Sequence, residues 1–185
     1  MADTSTNTVA RAMNDVGMAA WFGGSLMGAI GLNGAAAVAD APSQRAKVAN
    51  AGWARWTPAN LAAIAAYTVG ALQLTRVNKD RLTAQKGVAA AAGVKTVLSG
   101  LAMGATAYSR VLGQKVMDAG APSVEGATEP NAATPPEVAA AQRQLKMLQW
   151  AIPALTGAMI VIDSRMSEQQ RPNQVARGLL SRIAT

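Results

Sequence analysis

From Val16 to Ala39 the chain runs 24 residues without a charged side chain, VGMAAWFGGSLMGAIGLNGAAAVA, set between Asp15 and Asp40. As a helix this stretch would rise about 36 Å, enough to cross a hydrocarbon core of about 30 Å. Three later windows repeat the pattern: Pro58–Leu74, Gly87–Leu112 and Met147–Ile162. Charges are nearly absent from the windows and crowd into the segments between them. A soluble helix needs a charged face, and these windows offer none. The pattern predicts an all-α fold, a four-helix transmembrane bundle with short amphipathic surface segments. The competing reading is a soluble Ala-rich helical bundle, which an apolar content of 50% does not by itself exclude.

The length of 185 residues fits one domain. Its net charge of +7 raises the question of nucleic acid. The Lys and Arg residues are scattered through the connecting segments, with no basic stripe interleaved with aromatics. Basic flanks on apolar spans suit anionic lipid head groups instead, so no nucleic-acid partner is expected. The chain has neither Cys nor His. Thiol chemistry, disulfides and imidazole acid–base catalysis are thereby excluded, as are the usual ligands of zinc, haem and iron–sulfur clusters. No cofactor and no metal are expected.

Taken in order, residues 1–15 read as a polar tail, frayed or lying on the surface. The first window could be mistaken for a secretory signal, since AVA before Asp40 resembles a cleavage site. Its length and its acidic leading region favour a retained span. Residues 40–55 connect the first two spans. They carry Arg45, Lys47 and Arg55, then Trp53 and Trp56, and read as a segment along the membrane surface. Thr57 is a candidate N-cap with Pro58 at the first helical position. The turn 76–86 is basic. Residues 118–134 read as a flexible acidic loop in water. Thr134-Pro135-Pro136-Glu137 reads as a capping box that opens a helix from about Pro135 to Met166, in which only Met147–Ile162 is uncharged. Residues 167–185 form a basic C-terminal tail.

Gly24 with Gly28, and Gly100 with Gly104, place small residues one helical turn apart, a spacing that lets helices approach closely. In a chain so rich in Ala and Gly the spacing also arises by chance. Lys95 is the sharpest polar candidate, about eight residues into the third span and roughly 12 Å deep. A Lys at mid-bilayer costs about 2.5–3.5 kcal/mol and often lines a polar path. Alternatively, the span starts later and Lys95 snorkels. No acid stands at matching depth, which argues against a proton relay and leaves backbone carbonyls, Asn33, Tyr67 or a partner subunit as its candidate intramembrane companions. Asp163 with Arg165 reads as a helix-end pair, and no catalytic constellation emerges.

The stretch WARWTPANLAAIAAYTVGALQLTRVNKDRLTAQKGV, residues 53–88, resembles small multi-pass integral membrane proteins of actinobacteria. In these a tryptophan, a proline and an asparagine precede an Ala/Gly-rich apolar run that ends in a basic turn. The resemblance covers about a fifth of the chain. It implies a multi-pass bundle and carries over no catalytic or binding residues.

The expected protein is therefore a non-enzymatic accessory or assembly subunit of the inner (plasma) membrane, packed against other membrane proteins or itself. The alternative is a channel, holin-like pore or small transporter with Lys95 facing a polar path. With both termini in the cytoplasm, nine cations fall inside and seven outside, a modest positive-inside excess.

Overall fold

The computed structural model describes residues 4–77, 86–120 and 122–169. Among these the fold is all-α. Helix α1 spans Thr4–Met27 and runs through a π turn, Gly28–Leu32, into the short α2, Asn33–Ala37. Helix α3 is Pro42–Val77, α4 is Lys86–Asp118 and α5 is Pro136–Gln169. The four expected windows fall on these helices in order. The long helices alternate in direction. α1 packs chiefly on α3, α4 chiefly on α5, and α1 also lies along α5, while α3 and α4 touch only lightly.

The seam between α1 and α3 is a heptad. Ala10, Asn14, Gly17, Trp21, Gly24 and Gly28 step by four and three residues, as do Ala49, Trp53, Trp56, Asn60, Ala63, Tyr67 and Gly70. Small residues on one helix receive large ones from the other. A Cβ on Gly24 would stand 1.9 Å from the Trp56 ring, and one on Gly28 would stand 2.1 Å from Trp53. At Gly17 the backbones themselves meet: a Cβ there would lie 2.5 Å from the Ala63 carbonyl oxygen. The Gly24–Gly28 pair does allow close approach, but to Trp side chains of the same chain. Gly100 and Gly104 differ, because both are exposed and nothing in the chain lies within 4 Å of a Cβ on either.

Several local expectations are corrected. The polar tail is helical from Thr4, and Ala10 and Asn14 are buried in the α1–α3 seam. Residues 42–55 do not lie along a surface. They are the first turns of α3, which continues through Pro58. Thr57 is mid-helix, and its hydroxyl donates to the Trp53 carbonyl 2.8 Å away instead of capping. Trp53 and Trp56 face α1, not an outer interface, because the glycine notches of α1 accept them. The capping box is not formed either. The Thr134 hydroxyl donates to the Ser123 carbonyl at 2.6 Å, Glu137 pairs with Lys115 at 3.3 Å, and the helix opens one residue late, at Pro136.

The expected flexible loop is a folded plug. Gly120 takes φ +80° after α4 and turns the chain back, a conformation that glycine adopts without strain. Beyond it Val124 bridges Pro130 and is fully buried with Leu112, Val116 and Val138. Gln142 of α5 donates to the carbonyls of Gly126 and Ala127 at 3.0 and 3.1 Å. Arg45 of α3 donates to the carbonyls of Ala39 and Glu125, both at 2.9 Å, and so joins the end of α2 to the plug. Arg45→Ala should cost about 1–2 kcal/mol through these bonds to a charged donor. Hydrogen exchange should then quicken at the Glu125 and Gly126 amides before it does in the helices.

The apolar core takes in several polar side chains, and many apolar side chains stand outside it. Asn14, Ser25, Ser99, Gln142 and Thr156 are buried, whereas Val16 and Met147 are 68% exposed, and Ile30, Leu61, Val97 and Leu101 more than half exposed. Hydroxyls turn onto carbonyls of their own helix, as Thr68, Thr96, Thr106 and Ser164 do at 2.7–3.0 Å. Among the described residues one helix is long and apolar enough to cross a membrane by length and composition, α5 over Pro136–Ser167. Residues 78–85 of the basic turn, and all of the basic tail after Gln169, lie outside the described residues.

Candidate functional site

One polar cluster draws a side chain from each long helix. Lys95 of α4 reaches both carboxylate oxygens of Asp163 on α5, each at 2.7 Å. Its Nζ also donates to Asn14 Oδ1 of α1 at 3.3 Å. The same Nζ lies 5.3 Å from the ring centroid of Tyr67 on α3, within the range of a cation–π contact. Asn14 Nδ2 donates in turn to Asp15 at 2.9 Å and, at 3.5 Å, to Asp163. The Lys95 and Asp163 side chains are 15% and 27% exposed, so the pair is mostly withdrawn from solvent without being sealed.

Directly beneath, the Tyr67 hydroxyl shares a 2.5 Å hydrogen bond with Ser99 Oγ. Ser99 also donates to the Lys95 carbonyl at 2.8 Å and touches Met159 Sδ at 3.1 Å. Tyr67 meets Trp21 at 6.0 Å between ring centroids, and the Trp21 indole N–H donates to Thr106 Oγ1 at 3.2 Å. Met18, Trp21, Tyr67, Ala102, Ile152 and Met159 then close the apolar core. The cluster is thus a lid on one end of the core, in which the Lys95 ammonium is matched by Asp163.

Of the sequence candidates, Lys95 and Tyr67 come together as companions. Asn33 does not join them. It lies 19 residues beyond Asn14 on the α1–α2 rod, roughly 28 Å of helical rise away. There Asn33 Oδ1 accepts the Trp53 indole N–H at 2.9 Å, and its Nδ2 donates to Gln149 Oε1 at 2.8 Å. Asn33 is therefore a bridge from α2 to α3 and α5 at the plug end. It follows directly on the π turn, an extra-residue turn that re-aims the side chains after it.

The expectation that no acid matches Lys95 in depth is overturned by Asp163, and the expected Asp163–Arg165 pair gives way to Lys95–Asp163. Window boundaries hid this, because Asp163 was counted as the residue closing a span. A signal was present: Lys95 and Asp163 are equidistant in sequence from Glu129, two residues from the midpoint of the connecting plug. In an antiparallel helical hairpin such residues face each other. Asn14 and Ser99 carried no comparable signal.

Chemically the cluster can hold four helices in register. Its one ammonium is neutralised by its one close carboxylate, and no nucleophile stands beside a base. Among the described residues no group of three or more Asp, Glu, His or Cys gathers that could hold a metal ion. No family model, curated protein or solved structure matches the chain. The functional reading therefore rests on the geometry of these residues.

Proposed function

We propose that the chain is a non-enzymatic integral membrane protein, a four-span bundle in the plasma membrane with both termini in the cytoplasm. It acts as an accessory or assembly subunit that packs against other membrane proteins or a second copy. The observation that carries this reading is the apolar exterior: Val, Leu, Ile or Met side chains stand exposed on all four long helices, around an apolar core that also takes in Asn14, Ser25, Ser99, Gln142 and Thr156. In water that exposure would forfeit much of the hydrophobic driving force, whereas against acyl chains it costs nothing. Self-bonded hydroxyls on the outer surface support the same surroundings.

The outer face of α4 is the suggested contact. Val94, Val97 and Leu101 are each more than half exposed there, beside the open Gly100 and Gly104. The test has two stages. Membranes from expressing cells are extracted with alkaline carbonate, and the protein should stay with the lipid fraction. Protein purified in mild detergent should then migrate as a defined oligomer or larger complex, which Gly100→Leu/Gly104→Leu should reduce to a monomer with unchanged helical content. A chain that is soluble and folded without detergent would remove the reading.

The channel or transporter alternative required Lys95 to face a polar path. Lys95 is instead tied to Asp163 and Asn14, which favours a holding role over conduction. Equal ion flux through liposomes bearing native protein and Lys95→Ala is the expected result.

A further inference from the structure

The outer side of α4 carries a heptad of its own. Gly93, Val97, Gly100, Gly104, Ala107 and Val111 are all exposed and step by four and three residues. The α1 seam has the same spacing and the same small residues, and there α3 of the same chain covers it. On α4 nothing in the chain does: no neighbour lies within 4 Å of a Cβ on Gly93, Gly100 or Gly104. Val94, Leu101 and Tyr108, each about half exposed, form one flank of this line. Thr96, Met103 and Arg110 form the other.

The charges on the two flanks are complementary. The first flank adjoins α5. There the Tyr108 hydroxyl donates to Gln144, and Lys115 pairs with Glu137 at 3.3 Å, leaving the Glu137 side chain 81% exposed. The second flank carries Arg110, the one charge on α4 between Lys95 and Lys115. Arg110 is exposed and has no ion-pair or hydrogen-bond partner among the described residues. The exposed Arg55 and Arg143 stand off this line, on α3 and α5. Where two identical helices pair in the same orientation, a flank residue of one meets the opposite flank of the other about five residues further on. Thr96 then meets Leu101, Met103 meets the Tyr108 ring, and Arg110 meets the Lys115–Glu137 pair. The open side of that carboxylate suits a guanidinium fork. A second copy in the opposite orientation, centred on Gly100 and Gly104, would set Arg110 beside Thr96 and leave Glu137 unmatched.

We propose that α4 pairs with α4 of a second copy in the same orientation, packed through Gly100 and Gly104 and locked on each rim by Arg110 against Glu137 of the other chain. The inference rests on the membrane-bundle reading above and names a second copy as the occupant of the α4 face. The chain has no Cys, so one introduced thiol reports one contact. Ala107→Cys, on the line, and Leu61→Cys, exposed on α3, are purified and reconstituted into phosphatidylcholine vesicles, then oxidised. Ala107→Cys should give a disulfide-linked dimer and Leu61→Cys should not. In the Ala107→Cys chain, Arg110→Glu alone or Glu137→Arg alone should lower the linked fraction about tenfold, since like charges then meet on both rims. Arg110→Glu/Glu137→Arg in one chain should restore it, and so should mixing the two single variants. Helical content is the control for folding. No link at Ala107, an equal link at Leu61, indifference to charge reversal or failure of the rescue overturns the proposal. Protein that inserts and stays monomeric in vesicles, yet leaves cell membranes in a larger complex, overturns this inference and spares the accessory-subunit reading. Protein that enters no vesicle removes the membrane reading itself, and this inference with it.

Discussion

Asp163→Ala is expected to destabilise the bundle by about 3 kcal/mol, because it strands the Lys95 ammonium among Tyr67, Asn14 and the core with no carboxylate to match it. Breaking a largely buried pair from one side costs about 3–5 kcal/mol, and the partial exposure of Asp163 places this case at the lower end. The informative variant is the double one. Lys95→Met/Asp163→Leu removes both charges and fills the space with apolar atoms, and should recover most of the loss. Thermal unfolding in detergent, run as a double-mutant cycle, reads the difference. If the double variant were as unstable as the single, the pair would be contributing more than charge matching, and a holding role would be too small a description.

Gly17→Ala and Gly70→Ala form the second large expectation. A methyl on Gly17 meets the Ala63 carbonyl oxygen and the Tyr67 amide nitrogen at 2.5 Å, and one on Gly70 meets the Ala10 carbonyl oxygen at 2.5 Å. These neighbours are backbone, so no rotamer change relieves the clash and the helices must separate. Overpacking of this kind costs about 1–3 kcal/mol, and the seam should sit near the top of that range. Gly104→Ala provides the contrast. Nothing stands within 4 Å of its Cβ, and the helix should gain up to about 1 kcal/mol in propensity. Unfolding midpoints that failed to separate Gly17 and Gly70 from Gly104 would contradict the seam.

Four helices in the right order were legible from the absence of charge, and the extent of α5 from the Thr134–Glu137 start signal. The charge pattern reports surroundings, not partners. It therefore placed Trp53 and Trp56 at an outer interface, where free indole rings belong, and could not see that Gly28 and Gly24 would hold them inside. The heptad in α1 was hidden for a related reason. Its positions are filled by Gly, Ala, Asn and Trp, so no apolar stripe marks the packed side. The plug was misjudged because Gly, Pro and acidic residues are typical of solvated loops. Its fold depends on Val124, Gln142 and Arg45 meeting across three separate segments. Of the polar candidates Lys95, Asn33 and Tyr67, Lys95 and Tyr67 do come together, but Asp163 became visible as the partner of Lys95 only once the hairpin fixed which residues face each other.

The two ends of this bundle are not equally strong. At one end, a folded segment is stitched to α3 and α5 by several backbone and side-chain bonds and seals its own apolar cluster. At the other, the glycine seam holds α1 to α3, but no folded segment covers α4 and α5, which are tied to the rest there by one ion pair, its amide neighbour and a tyrosine–serine bond. Thermal breathing will therefore start at the Lys95 end and pivot about the plug, like a pair of tongs hinged at the top. Any solvent that reaches the interior will enter past Asn14.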